Sequence, residues 1–445
     1  MNITKLKLFL FANQTNGQTI VKNTIWLAVG KLGGRLLRTG LVIYAARILG
    51  ASDWGVFSYA ISLIAIFAIV TDFGISPILV RETAKGNERK DTILSTAFFL
   101  KLFLLVPALI FIIFFANHLP ILKSITPLLI FFLLILFFDS LRQLGFSLIK
   151  AMEKMEIQAG LYILTNITVV ISGLFFLTRS PSIASLTYAY TLGAGIGMLA
   201  TVLVLRRHIK KILQGFDWKI AKEILLSSWP LGISSLLGSI MISTDIFIIG
   251  LIRPAHDVGF YSVADRVIQL LYAPALILAT STFPVFSRLA NKDNPKLKVI
   301  FERLLRTIYI AIIPITIIGI FSAPFLVTLF FGKSYSGAVP SLQILLLTLT
   351  VRYTSVILSN LIFAYDQQKS LVKFTILGVT TNIFFDMILI PIFGIVGSAW
   401  ATLLAQLISN VYLWHQARKI NNITPVSLLK YLLPPPIFGR ARSDR

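Results

Sequence analysis

The stretch DWGVFSYA at residues 53–60 returns as DVGFYSVA at residues 257–264, an offset of 204 residues. A second pair, PILVR at 77–81 and PVFSR at 284–288, follows in the same order at an offset of 207 residues. Two short matches at nearly the same spacing indicate an internal repeat with halves of about 1–210 and 220–420. The repeat therefore predicts two similar halves in one chain.

The composition around these motifs is that of a membrane protein. Of 445 residues, 56% are hydrophobic and 13% are charged, whereas an average soluble chain is about 25% charged. Long apolar runs cross a bilayer only as helices, because the backbone must satisfy its own hydrogen bonds in lipid. We therefore predict an all-α polytopic membrane protein with about twelve transmembrane helices, at residues 22–48, 54–78, 92–116, 120–146, 156–178, 183–205, 224–252, 261–287, 304–330, 339–363, 371–392 and 394–416.

The basic residues are distributed unequally between the two sides of this predicted topology. Of the 41 Lys and Arg residues, 29 fall on the side that holds the N-terminus and five on the other side. Loops rich in Lys and Arg stay in the cytoplasm, so we predict a multi-pass protein of the cell (plasma or inner) membrane with both termini cytoplasmic. The net charge of +23 then reflects topology, and nucleic acid is not an expected partner.

The repeat and the spans together predict a domain organisation. Six spans separate equivalent helices, so the two halves have the same orientation in the membrane, as in transporters that rock two bundles around a central site. The predicted parts are an interfacial or cytoplasmic segment at 1–21, a six-helix bundle at 22–205, a basic cytoplasmic linker at 206–223, a second six-helix bundle at 224–416 and a basic cytoplasmic tail at 417–445.

Three cations interrupt the first predicted span. At about 100° per residue, Lys31, Arg35 and Arg38 share one face of a helix. A charge at the bilayer centre costs about 2.5–3.5 kcal/mol, so we expect this face to turn toward the bundle interior or a hydrated cavity. Guanidinium groups match phosphate oxygens bidentately. The pattern therefore predicts a cationic lumen for an anionic headgroup, with a diphosphate as a good fit.

Further charged residues lie within the spans, and each has a structural alternative. Arg352, Arg266 and Lys101 are additional candidates for the cationic lumen, but Arg266 adjoins Asp265, and packing or snorkelling would also account for Lys101. Arg142 follows Asp139 at i,i+3 and is interpreted as a structural ion pair. Asp245 and Asp386 are candidates for binding a coupling ion. The chain has no cysteine and four scattered histidines, so neither a metal site nor a cofactor is predicted.

Five segments in the same order resemble the polysaccharide-biosynthesis flippases (O-antigen and teichoic-acid export proteins) of the multidrug/oligosaccharidyl-lipid/polysaccharide exporter superfamily. The segments are ARILGASDWGVFSYA at 46–60, TDFGISPILVRETA at 71–84, STDIFIIGLIRPAHDVGFYSVADRV at 243–267, FPVFSRLA at 283–290 and IPIFGIVGSAWATLLAQ at 390–406. The resemblance implies two parallel-repeat six-helix bundles in a MATE-like V shape. It also implies a cationic cavity that carries a polyprenyl-diphosphate-linked glycan from the inner to the outer leaflet, with Arg35, Arg38 and Arg352 meeting the diphosphate or acidic sugars.

Other functions stay open at this point. A cation-coupled multidrug or organic-cation antiporter of the same superfamily would use Asp245 or Asp386. Such a task favours unpaired acids in the lumen, whereas the charged residues within these spans are net positive. A membrane glycan polymerase or glycosyltransferase is disfavoured, because the outer connections are short and no metal-binding Asp pair or nucleotide loop is present, so we predict no enzyme. The expected partners are a lipid-linked glycan, membrane lipids, Na⁺ or H⁺ and contacts with glycan-assembly proteins.

Overall fold

The computed structural model describes residues 16–84, 90–116, 118, 120–123, 126–208 and 215–423, and within these ranges it contains helices and no strand. In chain order the helices are α1 (Asn16–Asp72), α2 (Ile75–Ala84), α3 (Lys90–Ala116), α4 (Pro120–Lys123), α5 (Leu129–Ala151), α6 (Met155–Arg179), α7 (Ile183–Val204), α8 (Trp218–Ile252), α9 (Ala255–Leu289), α10 (Asn294–Phe331), α11 (Val339–Ala364), α12 (Gln368–Phe393) and α13 (Ile395–Asn421). Short 3₁₀ turns, Thr126–Leu128 and Lys333–Ala338, precede α5 and α11.

Helix α1 joins the first two predicted spans. It has 57 residues, which would extend about 86 Å if straight, far more than one bilayer crossing. Gly50, at φ 76° and ψ 172°, breaks the helix in a conformation that favours glycine. In the described ranges eleven helices are long and apolar enough to cross a membrane, and because α1 covers two predicted spans, the prediction of about twelve crossings is confirmed.

Two predicted spans differ from the structure in their boundaries. Span 2 was predicted to run through 54–78, but the helix breaks at Phe73 and Gly74 and restarts as α2. Span 4 was predicted to begin at residue 120, whereas its long helix, α5, begins at Leu129. Pro127 explains the delay, because proline lacks an N–H and disfavours helical geometry at the residue before it.

The chain forms two compact units, divided between Gly259 and Phe260. In the first unit α8 packs against α1, α2 and α3. In the second unit α13 packs against both α11 and α12, and α10 packs against α11. The boundary between the two units thus lies beyond α8, one helix later than the linker predicted at 206–223.

The predicted domain organisation describes repeats in the sequence and stays a prediction. Most of the predicted N-terminal segment, the middle of the linker (209–214) and the tail beyond residue 423 lie outside the described residues.

The repeated motifs contact each other within the first unit. A Cβ atom on Gly55 would overlap the carbonyl oxygen of Ala255, and a Cβ atom on Gly259 would overlap the carbonyl oxygen of Ala51. At the offset of 204 residues, Gly55 corresponds to Gly259 and Ala51 to Ala255. Equivalent residues therefore exchange equivalent contacts, which is the signature of a local two-fold relation. Only glycine permits the two backbones to approach this closely.

Candidate functional site

Helix α1 uses glycines to pack against α6. A Cβ atom on Gly30 would lie 3.0 Å from the Cα atom of Ala159, and a Cβ atom on Gly34 would lie 2.5 Å from Cε1 of Tyr162. Side chains larger than glycine would force the two helices apart. This close contact fixes the rotation of α1 about its axis and so determines where its cations point.

A stripe of exposed apolar side chains on α1 shows which side suits lipid. Ile25, Val29 and Leu36 are 40%, 48% and 69% exposed. On a helical wheel the centre of this stripe lies roughly 130° from the centre of the face that carries Lys31, Arg35 and Arg38. The centres of the two faces are distinct, and the exposed Leu32 lies about 60° from Arg35, between the two faces; that the cationic face turns toward a hydrated cavity stays a prediction.

The three cations of α1 differ in burial. Lys31 and Arg35 are exposed and Arg38 is half-buried, with its Cζ atom 5.1 Å from the ring centroid of Tyr190 on α7. A guanidinium at this distance is attracted to the ring face. Within the described part of the chain none of the three forms an ion pair, and Nε of Arg38 is buried without a hydrogen-bond partner.

Arg352 occupies a similar setting in the second unit. It lies half-buried on α11, and its Cζ atom is 5.5 Å from the ring centroid of Tyr272 on α9. The Tyr272 hydroxyl contacts the Thr348 hydroxyl and accepts a hydrogen bond from Nε2 of Gln406 at 3.3 Å. These contacts hold the Tyr272 ring in place, and in each unit one arginine lies over a tyrosine ring.

The structure gives Lys101 a partner. Lys101 is 1% exposed, and its Nζ atom lies 2.6 Å from Oδ1 of Asp72, which is 24% exposed. Asp72 also accepts hydrogen bonds from the backbone N–H and the hydroxyl of Ser76. Asp72 neutralises the charge of Lys101, so the ion pair accounts for a lysine buried within a membrane-spanning helix.

Replacing Lys101 by methionine should destabilise the protein, because it leaves the Asp72 carboxylate without its counter-ion. Removing one partner of a buried pair typically costs about 3–5 kcal/mol, and the partial exposure of Asp72 favours the lower end. We expect a clear fall in the thermal unfolding temperature of the purified protein. The double variant Lys101→Met/Asp72→Asn should recover most of the loss, and a double variant as unstable as the single one would contradict a structural pair.

Two other intramembrane arginines were predicted to have neighbouring acids. Nη2 of Arg142 lies 2.7 Å from Oδ1 of Asp139, so the predicted structural ion pair is confirmed. Arg266 is half-buried on α9, and the adjacent Asp265 accepts a hydrogen bond from Nε2 of Gln269 at 3.3 Å. Arg266 thus remains a weaker candidate than Arg352.

The two acids proposed for ion coupling are both buried. Asp245 on α8 is 9% exposed, and Asp386 on α12 is fully buried, one turn after the buried Asn382. Carboxylate and amide oxygens are suitable ligands for hard cations such as Na⁺. The described residues contain no cluster of three or more His, Asp or Glu that could hold a metal ion.

Sequence reasoning missed Tyr190 and Tyr272, the rings under Arg38 and Arg352. The two pairs are separated by 152 and 80 residues along the chain, and no local spacing connects them. Only the packing of α7 beside α1, and of α9 beside α11, brings these side chains together.

Relatives of this chain include glycan flippases. It is 26% identical over 393 residues to the probable low-salt glycan biosynthesis flippase Agl15 of Haloferax volcanii, covering 88% of this chain and 82% of that protein. It is 28% identical to a putative O-antigen transporter of Shigella flexneri, covering 71% of this chain and 78% of the relative.

Solved structures show the same fold at low sequence identity. The lipid II flippase MurJ superposes with a TM-score of 0.72 at 19% identity, covering 92% of this chain and 90% of MurJ. A multidrug resistance MATE family transporter of the MOP superfamily superposes with a TM-score of 0.66 at 16% identity, covering 96% and 99% of the two chains. The fold is therefore MATE-like.

Two family profiles match the sequence. The MatE profile matches residues 230–388, and the profile described as polysaccharide biosynthesis protein matches residues 20–290, more than half of the chain. The repeated motifs and the helical membrane fold are consistent with the match to this family. The chain belongs to the polysaccharide biosynthesis protein family.

Proposed function

We propose that this protein is a flippase that moves a polyprenyl-diphosphate-linked oligosaccharide or polysaccharide precursor from the inner to the outer leaflet by alternating access. The observation that carries the proposal is the α1 face, on which Arg35 and Arg38 have no ion pair with any described residue. The glycan flippases and O-antigen transporters among its relatives support the class of substrate.

Arginine suits a diphosphate for a chemical reason. Its planar fork donates two parallel hydrogen bonds to phosphate oxygens, and these bonds strengthen where water is scarce. Arg38 and Arg352 each rest on a tyrosine ring, which reduces the side-chain entropy lost on binding an anion. We propose that Arg35, Arg38 and Arg352, with Lys31 and more weakly Arg266, meet the diphosphate or acidic sugars while the prenyl tail stays in lipid.

The energy source is also a proposal. We propose Asp245 and Asp386, which are both buried in membrane-spanning helices, as binding sites for Na⁺ or H⁺. The membrane potential acting on the cations of the lumen is an alternative source. We also propose contacts with glycan-assembly proteins.

A cation-coupled multidrug antiporter is the second candidate. The MatE match and the buried Asp386 favour it. A binding face with Lys31, Arg35 and Arg38 opposes it, because a drug that carries a positive charge would be repelled. The two functions therefore predict opposite substrate charge.

Purified protein in liposomes separates these functions. The probe is a fluorescent polyprenyl-diphosphate oligosaccharide, and an impermeant reductant bleaches the label that it can reach from outside. In protein-free liposomes only the label in the outer leaflet should be bleached. When the protein is present, the label of both leaflets should be bleached, because the protein moves the lipid between them. A Na⁺ gradient and a pH gradient, imposed separately, would show which ion accelerates the transfer. Export of a cationic dye without transfer of the glycan lipid would contradict the flippase.

The proposed topology places both termini in the cytoplasm of a cell-membrane protein. Lys296 lies in the first turn of α10, Lys333 follows the last residue of α10, and both residues are exposed. The chain has no cysteine, so it is already a background for labelling. In intact cells Lys333→Cys should react with an impermeant thiol reagent and Lys296→Cys should not; the reverse pattern would invert the topology.

A further inference from the structure

A groove on the surface of the first unit has no role in the proposed transport. It lies among α5, α6 and α7, has a volume of about 380 Å³ and is almost entirely apolar. Its walls include Phe131, Phe138, Phe176, Tyr188, Leu192 and Leu199. This volume falls within the range of about 300–1,000 Å³ that is usual for small-molecule sites.

Contacts between helices preform the groove. The rings of Phe131 and Tyr188 meet edge to face with centroids 4.7 Å apart, and the Thr191 hydroxyl donates a hydrogen bond to the Phe131 carbonyl at 3.2 Å. Gly195 leaves the floor open, since a Cβ atom there would lie 3.3 Å from Cε2 of Phe138. The groove therefore exists without a ligand to shape it.

The groove faces away from the candidate transport site. Tyr188, Leu192 and Leu199 form one stripe along α7, whereas Tyr190, which contacts Arg38, lies about 200° around the helix from Tyr188. From Tyr188 to Leu199 the stripe extends about 16 Å, roughly half of the hydrocarbon core of about 30 Å. A lipid acyl chain lying along this groove would span about one leaflet of the bilayer.

A cation lies at the end of α6 that borders the groove. The Cζ atom of Arg179 is 4.1 Å from the ring centroid of Phe175, and that ring contacts Phe176, a wall of the groove, with centroids 5.5 Å apart. Arg179 is exposed and makes no ion pair with the described residues. An apolar groove beside a cation at the end of a membrane helix is complementary to an anionic lipid.

We propose that this groove holds a resident anionic phospholipid, with an acyl chain against the aromatic walls and its phosphate on Arg179. The occupant is a phospholipid and not the transported lipid, because the groove and the Arg38 face are on different sides of α7. The proposal does not depend on which substrate the protein transports.

Native mass spectrometry of the whole protein in detergent tests the proposal with phosphatidylglycerol and phosphatidylcholine as probes. The wild type should retain phosphatidylglycerol in preference to phosphatidylcholine. Gly195→Leu, which fills the floor, should lose the retained lipid, whereas Gly160→Leu should keep it, because Gly160 on α6 has open space around it. Arg179→Gln should lower the preference for phosphatidylglycerol about fivefold, and Lys333→Gln should leave it unchanged.

Three results would overturn the proposal. The first is equal retention of phosphatidylglycerol by Gly195→Leu and Gly160→Leu. The second is equal retention of the two phospholipids by the wild type, which would mean that Arg179 selects no headgroup. The third is displacement of phosphatidylglycerol by added polyprenyl phosphate, which would make the transported lipid the occupant. Since Arg179→Gln alters an exposed side chain, it remains informative if Gly195→Leu fails to fold.

Discussion

Replacing Arg35 and Arg38 together by glutamine is expected to abolish export of the lipid-linked glycan while the protein still folds and inserts. Hydrogen bonds to charged groups contribute about 1.5–3 kcal/mol each, so losing two of them should slow transport by about a hundredfold or more. Neither arginine has an ion pair with a described residue, so their removal leaves no known carboxylate uncompensated. Complementation of surface-glycan export in a strain that lacks its own flippase would measure the effect.

Matched variants separate binding from general damage. Arg35→Lys/Arg38→Lys keeps both charges but removes the planar forks, so intermediate export is expected. Arg47→Gln removes a cation near the other end of the same predicted span and should export normally. Wild-type export by the double glutamine variant, at normal protein levels in the membrane, would contradict a role for this face in binding the substrate.

The spacing of residues along the sequence was sufficient to predict features that lie within a single helix. The common face of Lys31, Arg35 and Arg38 follows from the helical period, and the pair of Asp139 and Arg142 follows from i,i+3 spacing; the structure shows both. These predictions succeed because the geometry of a single helix fixes them.

Contacts between helices could not be predicted in this way. Lys101 meets Asp72 across 29 residues, and whether these side chains face each other depends on the rotation and register of two packed helices. One sequence does not determine those quantities. For the same reason, a single sequence does not reveal that Tyr190 lies beneath Arg38.

The backbone at Gly50 shows a different limit. The sequence indicated two spans with a turn between them, and the structure has two helices that meet at a single non-helical residue, Gly50. Hydropathy reports where a chain crosses lipid, but it carries no information on whether a connection is a loop or a kink.

Gly55→Ala is expected to stop transport and to destabilise the protein. The added methyl group would overlap the Ala255 carbonyl, and crowding of this kind typically costs about 1–3 kcal/mol. Because Gly55 and Gly259 are equivalent positions of the repeat, we expect Gly259→Ala, which would overlap the Ala51 carbonyl, to have the same effect. Thermal unfolding of the purified protein and complementation of glycan export would measure both consequences.

Gly33→Ala and Gly40→Ala on the same helix are the matched controls, because no atom lies within 4 Å of a Cβ atom built at either position. Alanine in such open helical positions is expected to stabilise the protein by about 0.4–1 kcal/mol, since the unfolded chain loses more freedom than the folded one. Replacing glycine by alanine on α1 should thus lower the stability at Gly55, where the repeated motifs touch, and raise it at Gly33 and Gly40, where there is open space. Equal unfolding temperatures for Gly55→Ala and Gly33→Ala would show that the close approach of the two motifs does not stabilise the first unit.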